Sequence, residues 1–180
     1  NDTIDNNLFA NVKVKDAIAD RFREQTGARP NSGPELNSLV IHLYWKENLA
    51  EIFIDTSGET LSKHGYRKIP GKAPMLESLA AATLMATKWD GATSFINPMC
   101  GSGTMAIEAA LMATNRRPGL YRSNYSFMHA LGYEENDYLK AYSELEKQVK
   151  EPHENLKIIA SDISEDAIEI SKVNAGIAGI

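Results

Sequence analysis

Cysteine is almost missing from this chain: Cys100 is the only one in 180 residues. That excludes an intrachain disulfide and suits a reducing compartment. There is no run of eighteen apolar residues, and no positively charged leader ahead of an apolar core. A soluble cytoplasmic protein without a membrane partner is the expectation. A basic excess is lacking as well, since 19 Lys and Arg face 24 Asp and Glu for a formal charge of -5. An overall electrostatic footprint for nucleic acid is therefore absent. Residues 1–72 hold ten charges of each sign, so the remainder carries the whole deficit. His42, His64, His129 and His153 stand apart, and Cys100 has no metal-ligand spacing around it, so no metal is expected. The length suits one ordinary domain or parts of two. Because the chain starts on Asn1 without Met, a piece of a longer protein is expected.

What is present is organised around Ser94–Ala110, SFINPMCGSGTMAIEAA. Phe95 and Ile96 form a short apolar run, Asn97-Pro98 closes it, and Gly101-Ser102-Gly103 follows. Met105, Ala106, Ile107, Ala109 and Ala110 then suit a helix, so the segment predicts strand, glycine turn, helix. Glycine at 101 and 103 permits backbone angles and a closeness of approach that a β-carbon forbids, and the first free N–H groups of the helix face whatever lies over the turn. A small molecule with polar edges fits there. GSGT is not followed by Lys and the dinucleotide spacing is incomplete, which disfavours a phosphate cradle. Taken alone, the two glycines are equally a tight turn between a core strand and its helix.

The whole string resembles the first motif of S-adenosylmethionine-dependent methyltransferases. The closest likeness is to the large-subunit ribosomal RNA guanine-N2 methyltransferases, which join an RNA-binding THUMP domain to a Rossmann-like catalytic domain. Pro98, Met99, Cys100, Gly101, Ser102, Gly103, Thr104, Ile107, Glu108, Ala109 and Ala110 match, while Asn97 stands where that family has Asp. The resemblance implies an α/β fold with a Rossmann-like methyltransferase core. It places Asn97, Pro98, Cys100, Gly101, Gly103 and Thr104 around S-adenosylmethionine. Asn at 97 removes a negative charge near the cationic amino group of the donor but keeps an acceptor. SDI followed by DAIEISKVNA resembles the second motif, which puts Asp162 on the donor's ribose, with Ala167, Asn174 and Ala175 in the pattern. The usual interval from the glycine turn is roughly 20 residues. Here 59 residues separate Gly103 from Asp162, so an insertion at about 116–155 is expected between the first helix and the second strand. Without the resemblance, Asp162 reads as an aspartate just ahead of a helix start.

Upstream, the residues to 13 show no clear period. Val14 onward suggests a helix with Val14, Ala17, Ile18, Arg21 and Phe22 near one side and Gly27 as its stop. Ser38–Tyr44 and Leu49–Ile54 read as strands of a hairpin packed on that helix. Together with Lys15-Asp16-Ala17-Ile18 and Arg29-Pro30, residues 1–54 resemble the last part of a THUMP domain. Residues 55–72 resemble the junction between the two domains, and 73–180 the first part of the catalytic domain, incomplete. Within the junction, Lys63, Arg67, Lys68 and Lys72 bring four positive charges without an acid, and Tyr66 lies between them. Basic residues with an interposed aromatic can hold a phosphate backbone and stack on a base; a solvated loop is the plain alternative. Ribosomal RNA is the partner the resemblance implies. Pro74 opens a helix to about Trp89, in which Glu77 occupies an acidic position that the family keeps beside the cofactor pocket. A carboxylate in a first helical turn is also ordinary. Tyr121, Tyr125, Phe127 and Tyr133 are expected to pack within the insertion, residues 137–150 to form a charged helix, and Leu156–Ala160 a second parallel strand.

The family's later Asn-Pro-Pro-Tyr string, which holds the target base, does not occur between Asn1 and Ile180. No residue of this chain is therefore expected to be a base catalyst, and the fragment by itself is expected to be inactive. For the intact parent, the expectation is methyl transfer to the N2 amine of guanine in large-subunit ribosomal RNA. Adenine-N6 methylation of DNA or RNA, a noncatalytic RNA-binding protein, and a nucleotide or nicotinamide binder are the alternatives.

Overall fold

The computed structural model describes residues 6–180; the first five residues of the expected 1–54 unit lie outside the described residues. Two compact units are present, one made of the chain to Gly58 together with Tyr125–Tyr133, the other of Glu59–Asn124 with Glu134–Ile180.

In the first unit, helix α1 (Asn7–Thr26) begins seven residues earlier than its period suggested. Asn6 is the reason: its side chain accepts the Leu8 N–H at 2.9 Å and caps the helix where no apolar stripe marks a start. Gly27 ends it in the left-handed conformation, as the sequence predicted. Ala10 and Ala19 are its buried positions, whereas Phe22, assigned to the inner face, is exposed. Strands β1 (Val40–Lys46) and β2 (Leu49–Asp55) form the expected antiparallel hairpin, with Lys46 opposite Leu49 and Val40 opposite Asp55. Most of its side chains are exposed on both faces, Leu49, Ile52 and Ile54 among them. Its open end is joined by the insertion: Val40 donates to Ser126 Oγ at 2.8 Å, and Phe127 donates to Thr56 O at 3.1 Å. Tyr125 stacks on Phe127, which meets Tyr133, so these three rings do pack.

The second unit is an α/β core. Helix α2 (Glu77–Ala86) precedes strand β3 (Phe95–Asn97), helix α3 (Thr104–Ala113), helix α4 (Glu135–Glu146), strand β4 (Ile158–Ala160) and helix α5 (Glu165–Ala178). β3 and β4 pair in parallel, Phe95 with Ile158 and Asn97 with Ala160. β-branched and aromatic residues favour these short extended runs. α3 is rich in Ala, Met and Leu, strong helix formers whose small members allow close approach, and it packs against α2, α5 and both strands. Asn115 closes it with φ 52. The core gathers Tyr66, Ile107, Leu111 and Ala178, with Tyr121 set edge-on to Tyr66 at 6.2 Å. Among the described residues no helix is long and apolar enough to cross a membrane.

Candidate cofactor site

The parallel pairing brings the ends of β3 and β4 together, and the chain after each end makes the site. Beyond the ladder, Cys100 N–H donates to Ser161 O at 2.9 Å, and Gly103 N–H closes the turn onto Cys100 O at 2.9 Å. The two glycines serve different needs. Gly101 has φ 54 and an added β-carbon there would meet no atom within 4 Å, so the turn is open on that side. Gly103 has φ 85, and its β-carbon would lie 2.9 Å from Ser171 Cβ, so this glycine lets α5 approach the turn.

Asp162 spans both strand ends. Its Oδ2 accepts the Gly101 N–H at 2.9 Å and its Oδ1 the Ser164 N–H at 3.0 Å. The Ser164 and Gly101 donors hold its carboxyl below the usual carboxylate range. Each oxygen retains a lone pair, which is what two neighbouring hydroxyls of a ribose require. The sequence expectation that the first N–H groups of the turn stand free therefore changes at Gly101, whose donor is taken by Asp162. Exposed apolar side chains flank this carboxylate: Met99 is 83% and Ile163 102% exposed. Sequence reading passed over Ile163 in this role; an apolar residue directly after the acid was the available signal.

A buried polar lattice supports the turn from behind. Arg67 donates to Thr104 Oγ1 at 2.8 Å and to Met75 O, and its Nη1 lies 3.6 Å from Glu77 Oε2. Ser102 Oγ stands 3.3 Å from Thr104 Oγ1. Asn174, fully buried, accepts from Lys68 N and Ile69 N and donates to Ile69 O and Ser102 O. Its amide thus binds the 68–69 strap to the carbonyl of the turn. Asn97 Oδ1 is buried at the end of β3 without a hydrogen-bond partner.

These contacts redistribute the residues singled out in the sequence. Asn97, Cys100, Gly101, Gly103 and Asp162 gather at the two strand ends, with Pro98 exposed beside them. Thr104 is buried, its hydroxyl engaged by Arg67 and Ser102, so it braces the turn from behind. Cys100 is buried too, and burial pushes its thiol up. The basic junction needs correction. Tyr66 is fully enclosed and donates its hydroxyl to Glu108 Oε1 at 2.8 Å, so it has no ring face for a base. Arg67 is held inside by Thr104 and Glu77. A run of positive residues looks like a surface because burying charge is costly, but here each inward group finds a polar partner. His64 also faces inward, its Nδ1 2.7 Å from the same Glu108 oxygen. Lys68 and Lys72 remain exposed, and Lys63 pairs with Glu59 at 2.7 Å.

A cavity of about 330 Å³ lies elsewhere, among α3, α5 and β4, lined by Ala106, Ala110, Ile158 and Ile168. Of the residues at the strand ends only Gly103 touches it. It is a gap in apolar packing, with none of the convergent polar groups of the turn.

Residues 64–180 match the family model described as UPF0020, RMKL-like, methyltransferase domain. Three solved structures resemble the chain over nearly all its length. A methylase candidate from Clostridium difficile is 32% identical with a TM-score of 0.73, covering 93% of this chain and 43% of its own. SMU.472, named as a methyltransferase and solved in complex with SAH, is 31% identical with a TM-score of 0.74 over 92% of this chain and 43% of its own. A predicted N6-adenine-specific DNA methylase from Listeria monocytogenes is 34% identical with a TM-score of 0.74 over the same shares. The chain thus spans less than half the length of these relatives.

Proposed function

Because the chain belongs to the RMKL-like methyltransferase-domain family, we propose that its intact protein is an S-adenosylmethionine-dependent methyltransferase. Its substrate is the exocyclic N2 amine of guanine in large-subunit ribosomal RNA. The observation that carries the reading is the Gly101–Asp162 hydrogen bond, which joins two motifs 61 residues apart into one site. The residues present fit the donor: Gly101 leaves an open face, Asp162 keeps acceptors for ribose hydroxyls, and Asn97 holds an unpaired acceptor. Ile163 and Met99 offer apolar cover to an adenine ring. Bound there, S-adenosylmethionine supplies a methyl group activated on a sulfonium. The chain's own contribution is to fix that group's position, and orientation in a closed pocket is a large source of rate.

The target base must leave its helix to reach the site. In this proposal its pocket comes from an Asn-Pro-Pro-Tyr-like segment outside the chain. Residues 1–54 complete a THUMP-like unit with further sequence, a reading supported by the uncovered apolar side chains of the β1–β2 hairpin. Lys63, Lys68 and Lys72 contact RNA phosphates, and the protein is cytoplasmic. A second reading, adenine-N6 methylation, is favoured by the description of the Listeria relative. Product analysis decides between them. The full-length protein is given methyl donor with unassembled ribosomal RNA or with DNA of the same local sequence, and the methylated base is identified by mass. N2-methylguanine in RNA is the expected product; N6-methyladenine establishes the second reading. Donor binding without transfer to either points to a noncatalytic RNA-binding protein.

A further inference from the structure

Four buried side-chain polar atoms lack a hydrogen-bond partner among the described residues, and three of them, Glu77 Oε2, Arg67 Nε and Asn97 Oδ1, belong to residues around the glycine turn. Asn97 ends the strand that enters the turn, Arg67 holds Thr104 where the turn becomes α3, and Glu77 sits beside Arg67. Native proteins hold few such orphans because each is costly to leave without a partner. Two acceptors and one donor are the complement of an α-amino-acid zwitterion, whose ammonium donates and whose carboxylate only accepts. The neutral amide at 97 cannot balance an ammonium charge. Asp162 is occupied by two backbone N–H groups, and Glu108 by His64 and Tyr66. Glu77, 3% exposed, is the carboxylate that remains.

We infer that Glu77 is the counter-ion for the α-ammonium group of the methyl donor, replacing the acid absent at position 97. Asn97 is its second acceptor, and Arg67 Nε donates to the α-carboxylate. This rests on the donor-site reading above and adds which residues recognise the amino-acid end. The competing role for Arg67 and Glu77 is a scaffold that only braces Thr104.

Calorimetric titration of the full-length protein separates the two with a pair of ligands: S-adenosylhomocysteine, and 5′-methylthioadenosine, which keeps the adenosine and thioether but has no amino-acid end. Glu77→Gln should weaken S-adenosylhomocysteine by roughly tenfold to a hundredfold, the worth of a charge-assisted hydrogen bond, and leave methylthioadenosine within about twofold. Adding Asn97→Asp to Glu77→Gln should recover most of the lost affinity by returning the charge. Arg67→Lys should likewise weaken only the ligand that carries the carboxylate. Equal loss of both ligands would make the pair a scaffold and overturn the inference, as would unchanged binding of S-adenosylhomocysteine. If the unmodified protein binds both ligands equally well, the donor site stands and this inference alone fails. If it binds neither, the donor-site reading fails and takes the inference with it.

Discussion

Replacing Asn174 by Ala tests the lattice on which the turn depends. The side chain is fully buried and uses all four of its hydrogen-bonding positions. It accepts from Lys68 N at 3.1 Å and Ile69 N at 3.2 Å, and donates to Ile69 O at 2.9 Å and Ser102 O at 3.1 Å. Each bond contributes a net 0.5–1.5 kcal/mol in general, so the sum lies at about 2–6 kcal/mol. Lys68 and Ile69 are exposed residues, and water reaching their backbone from outside offsets part of the loss. A destabilisation of about 3 kcal/mol is expected, equivalent to a Tm lower by roughly 6–12 °C for a protein of this size. Urea unfolding and a thermal melt of the purified protein measure it. Asn174→Asp sharpens the result. It keeps both acceptor bonds but sets a carboxylate oxygen against Ile69 O and Ser102 O, so at neutral pH it should cost at least as much as Ala. Its penalty should shrink as the acid is protonated. An Ala variant within about 0.5 kcal/mol of the parent, or an Asp variant as stable as Asn, would refute the assignment of these four bonds.

Two further outcomes follow from the turn. Gly103→Ala should destabilise by about 2–4 kcal/mol, since it combines a left-handed backbone with a collision at Ser171, whereas Gly101→Ala should cost only about 1–2 kcal/mol because its β-carbon meets open space; equal urea midpoints for the two variants would contradict the packing described. Asp162, whose carboxyl is held below its ordinary value of 3.8, contributes stability that is present above that pH and lost as pH falls through the lowered folded value. Asp162→Asn should accordingly be less stable than the parent at pH 7, with the gap closing below about pH 4 in paired denaturation curves.

The elements legible in the sequence are those whose cause is local. Ser94–Ala110 folds as strand, turn and helix because its glycines and its apolar spacing act within a few residues. The hairpin and the stops at Gly27 and near Asn115 are legible for the same reason. The start of α1 was not, because a single Asn6 cap outweighs the lack of an apolar stripe on a largely exposed helix. Asp162 emerged from its motif and not from its distance along the chain, and only the parallel pairing of β3 with β4 puts its carboxylate on Gly101. The 63–72 run shows where local reading ends. Sequence gives four positive charges and a tyrosine. Which of them face water depends on partners far away in the chain: Glu108 draws in His64 and Tyr66, Thr104 holds Arg67, and Asn174 fastens the backbone at Lys68 and Ile69. Burial of a polar group is decided by whether another segment brings it a matching donor or acceptor, and that is a property of the folded chain alone.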